Sequence, residues 1–287
     1  MLPTVRVVTD SCASIPDALL AEQHIIMVPY YVHIGAKSYR DLIDMPRDAF
    51  YEYLARATEL PKTGTPSPGD YLSAYRQAAA EGAEAIVSVH MTSLGSGGYQ
   101  TACIARDMAR QEFPRLAVEV IDTRNVAMCQ GWIALEAARA ARQSAGLSEV
   151  MALVQQLIPR VRMIQTADTL RYLYMGGRIG RAQHLFGSLL NIKPLISMED
   201  GIIVALGTAR SRPGAYQAIV HKMADAIGQS RCKVAYLHAA ALDEVRKLRT
   251  LLEARLQPVE TLVAELSPAL GVHTGVGTVG VCYLQLP

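Results

Sequence analysis

The sequence has few of the features that mark secreted, zinc-binding or membrane-spanning proteins. Its five cysteines are odd in number and widely spaced, without a CxxC pair or a histidine at zinc spacing, which argues against a disulfide framework and a metal site. No apolar run approaches the roughly 20 residues that cross a bilayer, so we expect no stable membrane insertion. We expect reduced core thiols at Cys12, Cys103, Cys129, Cys232 and Cys282.

A strong charge of one sign is also absent. The formal net charge is +2 and the lysines and arginines are scattered, so no basic stripe favours a nucleic-acid partner. Residues 1–10 pass directly into a strand-like run without the charged and apolar regions of a signal peptide, and we expect a cytoplasmic protein. Apolar residues, in contrast, make up 51% of the chain, enough for a sizeable core and an internal cavity.

Short apolar runs alternate with helical stretches in the first half, which predicts βα units and a mainly parallel sheet. The predicted strands are 5–9, 25–34, 85–90 and 117–122, and the predicted helices are 47–58, 71–80, 99–112 and 126–144. The last of these is rich in alanine, the best helix former.

The pattern changes after residue 161 to longer strand-like runs. They are 162–167, 193–198, 202–208, 233–238, 261–266 and 278–286. Asp200 and Gly201 predict a hairpin, because this pair tolerates the positive φ angles of a tight turn. We therefore predict an α/β chain of two domains, 1–155 and 156–287, the second being α+β with a mixed or antiparallel sheet.

The loop from His90 to Tyr99 follows an apolar strand and opens a helix. Its serine hydroxyls and backbone amides, including those at Ser96, favour an anion or carboxylate pocket at the helix N-terminus. It is not a dinucleotide fingerprint, because Gln100 stands where a glycine is needed. It is not a nucleophile elbow either, because Leu94 replaces the first glycine.

The roles of two further segments are left open by the sequence. Thr9, Asp10 and Ser11 end the first strand, where they either face a ligand or cap the next helix. The proline-rich loop 61–68, taken alone, predicts a turn that caps the following helix.

Glycine-rich segments in the second half offer two more candidate side chains. Arg178 lies between glycines, and the simpler interpretation is that its side chain pairs with a group nearby in the chain. A helix is predicted after it, with one face formed by Ala182, Leu185, Phe186, Leu189 and Leu190. Residues 275–280 match GxGxxG literally but precede a strand, so we reject a nucleotide site. His273, just before that strand, is either a neutral ligand for a carboxylate or a structural histidine.

Taken together and in order, these segments resemble the DegV family of bacterial fatty-acid-binding proteins. The resembling segments are 7–11, 62–67, 93–102, 120–123, 168–179, 185–194, Gly201, Arg210 and 273–277. The stretch from 176–179 through 191–194 makes the resemblance specific. It implies a Rossmann-like N-terminal domain and a C-terminal α/β domain, with one long-chain fatty acid buried between them.

The resemblance also implies roles for individual residues. Thr63 and Ser96 correspond to the residues that hold the carboxylate in the family, and the backbone of Gly97 and the imidazole of His273 add to the head-group contacts. Arg178 corresponds to a position near the pocket mouth.

Arg178 and Arg210 are also candidates for contact with a partner. In relatives that serve a fatty acid kinase, the carboxylate meets the kinase there and becomes an acyl phosphate for phospholipid synthesis. We therefore expect a non-enzymatic carrier that binds no cofactor beyond its fatty acid.

The sequence departs from the family pattern beside the expected head group. Gly64 replaces a serine, Gly98 replaces a threonine, and Val276 stands where proline is common. We expect Thr65 or Ser93 to supply the missing hydroxyl groups.

Two other functions stay open at this point. One is a lipid hydrolase with Ser96 as nucleophile, His273 as base and Asp10 as orienter. The other is a regulatory protein in which the lipid is a structural plug.

Overall fold

The computed structural model describes residues 4–186 and 192–286. The helices are α1 Asp17–Glu22, α2 Arg47–Arg56, α3 Pro68–Ala80, α4 Gly98–Glu112, α5 Met128–Arg142, α6 Leu147–Leu157, α7 Arg171–Met175, α8 Arg212–Ile227, α9 Leu242–Glu253 and α10 Pro268–Thr274. The strands are β1 Val5–Asp10, β2 Ile26–Val28, β3 Tyr31–Ile34, β4 Lys37–Arg40, β5 Lys62–Gly64, β6 Ala85–His90, β7 Ala117–Asp122, β8 Val161–Thr166, β9 Lys193–Glu199, β10 Ile202–Ala209, β11 Cys232–His238, β12 Glu260–Glu265 and β13 Val279–Gln285.

These strands form three sheets. The first half holds a parallel sheet in the order β2-β1-β6-β7, with a small antiparallel sheet, β4-β3-β5, beside it. The second half holds a mixed sheet in the order β10-β9-β8-β13-β11-β12. Among its described residues β11 and β12 pair in parallel and the other neighbouring strands pair antiparallel. The predicted α/β class, with a parallel first sheet and a mixed second one, is confirmed.

One long predicted strand, 25–34, is divided in the structure. Pro29 interrupts it, because proline has no N–H to donate to a sheet. β2 before it joins the parallel sheet, and β3 after it joins the small sheet. There Val32 pairs with Thr63 of β5, a strand that the sequence pattern did not predict. Ser67 nevertheless caps α3 as expected, with a capping box to Asp70.

The hairpin between β9 and β10 is confirmed. Asp200 has φ 50° and Gly201 has φ 82°, the left-handed values of a two-residue turn. The helix predicted after Arg178 is instead a 3₁₀ segment over Gly180–Leu185. Leu189 and Leu190 lie outside the described residues.

Helix α5 joins the two halves. It packs against β1 and β6 on one side and against β8 and β13 on the other. Trp132, fully buried on α5, donates a hydrogen bond of 3.1 Å from Nε1 to the carbonyl oxygen of Cys282 on β13. The proposed boundary at 155/156 falls in the last turn of α6.

All five cysteines are free. Four are buried as expected, but Cys103 on α4 is only half-buried, so the prediction of a core position was wrong there. Within the described ranges, no helix is long and apolar enough to span a bilayer.

Candidate functional site

A cavity of about 350 Å³ lies between the two halves of the chain. Residues of both halves line it, and most of its wall is apolar, as in sites that enclose a hydrocarbon group. The apolar wall comprises Met91, Leu94, Val126, Ala127, Met163, Leu173, Met198, Ile202, Ile203, Leu266, Ala269 and Leu270.

Two hydrogen-bonded pairs of side chains form the polar part of the wall. Thr63 Oγ1, on the edge strand β5, lies 2.9 Å from Nε2 of His273 on α10. Ser96 Oγ, just before α4, lies 2.9 Å from the hydroxyl oxygen of Tyr30. All four residues line the cavity, so each hydroxyl that the sequence predicted is held by a second polar side chain.

In the Tyr30–Ser96 pair the phenol is able to act as the donor. Burial and the nearby carboxylate of Asp10 raise the pKa of the Tyr30 phenol well above its usual value. The phenol therefore keeps its proton and can donate it to Ser96 Oγ. The proton of Ser96 is then free for an acceptor inside the cavity.

In the Thr63–His273 pair the imidazole can act as the donor. Burial, together with the Arg178 guanidinium, lowers the pKa of His273 to about 4, so the ring is neutral at neutral pH. Its Nδ1 is buried without a hydrogen-bond partner among the described residues. With its proton on Nε2, the ring donates to Thr63 and leaves the threonine proton for a ligand.

The uncapped start of α4 adds to the attraction for an anion. Gly97 is the N-cap residue and supplies no side-chain hydrogen bond, so the first amides of a helix of 15 residues stay without intrahelical acceptors. Such amides stabilise a negative group nearby. Ser96 immediately precedes them.

Arg178 lies on the cavity wall but is also paired locally. Its Nη1 donates to the carbonyl oxygen of Gly176 at 2.7 Å, as expected from the interpretation that Arg178 pairs locally. A second cavity of about 560 Å³ shares Thr63, Arg178 and His273 and is also lined by Glu59, Lys62 and Arg171. The Thr63–His273 pair therefore borders both this second cavity and the apolar interior, whereas Tyr30 and Ser96 line the first cavity alone among the two.

Steric contacts explain why this chain has glycine at positions 64 and 98, where the resemblance implies larger residues. A Cβ at Gly98 would lie 2.3 Å from the Tyr30 hydroxyl oxygen. A Cβ at Gly64 would lie 2.6 Å from Nε2 of His33. Side chains from β3 and the residue before it fill the space that the larger residues would need.

The other residues singled out in the sequence lie elsewhere. Among the described residues that line the cavity, Gly97, Thr65, Ser93 and Arg210 are absent. Thr65 and Arg210 are exposed, and the Ser93 amide donates to Asp122 Oδ1 at 3.3 Å. Neither Thr65 nor Ser93 thus replaces a hydroxyl at the cavity.

His273 differs from its predicted setting. It was expected in a glycine-rich loop before a strand, but it lies in the last turn of α10. Ser267 caps this helix by accepting from the Leu270 amide, and Pro268 starts it, a preferred first residue. The helix, rather than the loop, sets the direction of the imidazole.

Tyr30 and Gln165 are cavity residues that the sequence did not reveal. Tyr30 follows Pro29 in a segment predicted as continuous strand. Gln165 is an inward residue of β8, where an apolar side chain is the rule. No local pattern distinguishes either one, because the residues that surround them, such as Ser96 for Tyr30 and Gly280 for Gln165, are distant in sequence.

The hydrolase arrangement is not assembled. Ser96 bonds to Tyr30 and His273 bonds to Thr63, whereas Asp10 Oδ2 lies 2.9 Å from His90 Nδ1. Asp10 also accepts from the Cys12 amide, which is the capping role.

A different serine, Ser88, completes a chain with His90 and Asp10. Its Oγ lies 2.7 Å from His90 Nε2. All three side chains are fully buried, and none of them lines a described cavity. These three residues therefore lie apart from the cavity between the two halves.

Asp41 is a fully buried carboxyl group beside the start of α10. Burial raises its pKa from the usual 3.8 to about 7, although the hydroxyl groups of Ser11 and Ser267 oppose the shift. Each of these serines accepts a hydrogen bond from a backbone amide, Ser11 from Tyr30 and Ser267 from Leu270. Neither carboxyl oxygen of Asp41 has a hydrogen-bond partner among the described residues.

The raised pKa of Asp41 predicts a pH-dependent stability. Between about pH 4 and pH 7 the folded chain keeps a proton that the unfolded chain has lost, so this group makes stability fall as pH rises. Asp41→Asn should remove the effect. Urea unfolding of both proteins should show a difference that grows by about 4 kcal/mol across this range, and parallel profiles would contradict it.

Comparisons with known proteins place the chain in a family. The model of the DegV family, described as an uncharacterised protein family, matches residues 4–286. A DegV domain-containing protein of Streptomyces coelicolor is 33% identical, over 96% of this chain and 97% of its own length.

Two solved structures share the fold along the whole chain. A DegV family protein from Thermus thermophilus, described as binding fatty acid, has a TM-score of 0.91 and 31% identity, covering 98% of this chain and 99% of that one. DegV of Bacillus subtilis, described as a fatty acid binding protein, has a TM-score of 0.88 and 27% identity, covering 100% of each. This chain belongs to the DegV family.

Proposed function

We propose that this protein binds one long-chain fatty acid between its two halves. Thr63 and Ser96 donate to the carboxylate, and the tail fills the apolar cavity. The observation that carries the proposal is the pair of hydrogen-bonded hydroxyl groups on the wall of an otherwise apolar cavity. The two solved relatives described as fatty acid binding support it.

The energetics favour such a ligand. A carboxylate that leaves water must regain hydrogen bonds, and neutral hydroxyl groups that are themselves oriented by Tyr30 and His273 can supply them. Each buried CH₂ contributes roughly 0.8 kcal/mol. A long acyl tail therefore contributes on the order of 10 kcal/mol before ordering costs.

The finer role we propose is that of a carrier rather than an enzyme. The second cavity, which shares Thr63 and His273 with the first, is also bordered by Lys62, Arg171 and Arg178. Cationic side chains beside the carboxylate suit a reaction in which a separate kinase adds a phosphoryl group to it. Arg178 and Arg210 remain candidates for contact with that kinase.

Native mass spectrometry of the purified protein tests the binding role. We expect the protein to carry a single added mass that matches a long-chain fatty acid, released on denaturation and identified after extraction. Protein that is consistently empty, and that takes up no stearic acid when it is added, would refute the proposal.

A further inference from the structure

One polar side chain on the cavity wall lacks a partner. Gln165 lies on β8 and is 4% exposed, and it lines the cavity together with Met163 and Met198. Met163 is two residues earlier on the same strand, so both side chains point to the same face of the sheet. A carboxamide therefore stands within an apolar part of the wall.

The hydroxyl groups of this wall are already paired, and on His273 the ring nitrogen Nδ1 is left without a partner among the described residues. Thr92 donates to the carbonyl oxygen of Gly201 at 3.0 Å, and Thr274 donates to that of Leu270 at 3.1 Å. The hydroxyl pairs and Arg178 are bonded as described above. No hydrogen bond joins the Gln165 carboxamide to any group in residues 4–186 or 192–286.

The Cβ of Gln165 packs closely against the neighbouring strand. Gly280 on β13 is the cross-strand partner of Gln165, and a Cβ at Gly280 would lie 2.5 Å from the Cβ of Gln165. Only glycine leaves room there, so the stem of Gln165 lies directly over the neighbouring strand. The position is constrained while the carboxamide is left unbonded.

A plain hydrocarbon tail in this cavity would cover the carboxamide without offering it a hydrogen bond, which is costly for a polar group. We propose that the acyl chain of the ligand carries a hydroxyl group that bonds to Gln165. A hydroxyl group both donates and accepts, and the carboxamide offers one acceptor oxygen and two donor hydrogens. This inference rests on the proposed binding of a fatty acid and specifies its chemical class as a hydroxy fatty acid.

The test compares stearic acid with a panel of positional isomers of monohydroxystearic acid, each titrated into the protein by calorimetry. The best isomer should bind at least about tenfold more tightly than stearic acid. Gln165→Met keeps the side-chain volume but removes the carboxamide, and it should abolish the preference.

Thr166→Val is the matched control. The Thr166 hydroxyl is buried without a partner, but Thr166 is absent from the described residues that line the cavity. Thr166→Val should raise the midpoint of thermal unfolding of the lipid-free protein, because it removes a buried, unpaired polar group. Only Gln165→Met should change the selectivity.

The outcomes separate the two proposals. If no fatty acid binds, the proposed function fails. If stearic acid binds tightly and no hydroxylated isomer binds better, or if Gln165→Met keeps the preference, the hydroxy-acid inference is overturned while the binding function stands. A bound water on Gln165 in a complex with stearic acid would also overturn it.

Discussion

Replacing Thr63 by valine and Ser96 by alanine together should weaken the binding of stearic acid by about 100-fold or more. Each substitution removes a hydroxyl group that, in the proposed complex, donates to a charged carboxylate. Hydrogen bonds to charged groups contribute about 1.5–3 kcal/mol each. Methyl stearate has no carboxylate, and its weaker binding should be nearly unchanged by the two substitutions. Isothermal titration of both lipids measures the two effects.

Thr274→Val provides the matched control for this experiment. Thr274 lines the same cavity, but its hydroxyl is already bonded to the Leu270 carbonyl oxygen. Its removal should change the affinity for stearic acid by no more than about threefold. Equal losses for the control and the double variant would mean that Thr63 and Ser96 act through general packing.

Gly98→Thr, which introduces the residue that the family resemblance implies at this position, should be harmful in this chain. The new Cβ would lie 2.3 Å from the Tyr30 hydroxyl oxygen and would displace the donor to Ser96. We expect a loss of about 1–3 kcal/mol in the free energy of unfolding and a decrease of about tenfold in stearic acid affinity. Gly97→Ala is the control, since its Cβ would meet only Thr65 Cγ2, at 3.9 Å.

Combining Gly98→Thr with Tyr30→Phe tests why the glycine is there. Tyr30→Phe alone removes the donor to Ser96 and should itself weaken binding. In the double variant the phenol oxygen is gone, so the most severe contact of the new Cβ is removed and those at 3.2 Å, to Tyr30 Cζ and the Tyr71 hydroxyl, are left. The threonine also offers a hydroxyl of its own. The two changes should therefore be strongly non-additive in unfolding and binding measurements. Simple additivity would show that the Tyr30 hydroxyl and the glycine are unrelated.

The parts of the fold that the sequence revealed are those with local signals. Alternation of apolar runs and helical stretches predicted the parallel sheet, and Asp200 with Gly201 predicted the hairpin. The short strand β5 was missed because three residues at a sheet edge, two of them half-buried, have no alternation to detect. Pro29 did carry a signal, since proline rarely lies inside a strand.

The candidate site was predicted only in part, for a physical reason. Thr63, Ser96 and His273 could be assigned through resemblance, and the structure brings all three to one cavity. The compensation for Gly98 was assigned to neighbours in sequence, but Tyr30, 66 residues before Ser96, occupies that place. A contact between such distant residues leaves no trace in composition, spacing or periodicity.

A crystal structure of the protein with its bound lipid is the most direct test of the central claim. We predict a carboxylate with one oxygen within about 3 Å of Thr63 Oγ1 and the other equally close to Ser96 Oγ, with the tail against Met163 and Met198. A ligand whose carboxylate lies away from both hydroxyl groups, or a cavity that excludes the acyl chain, would contradict it.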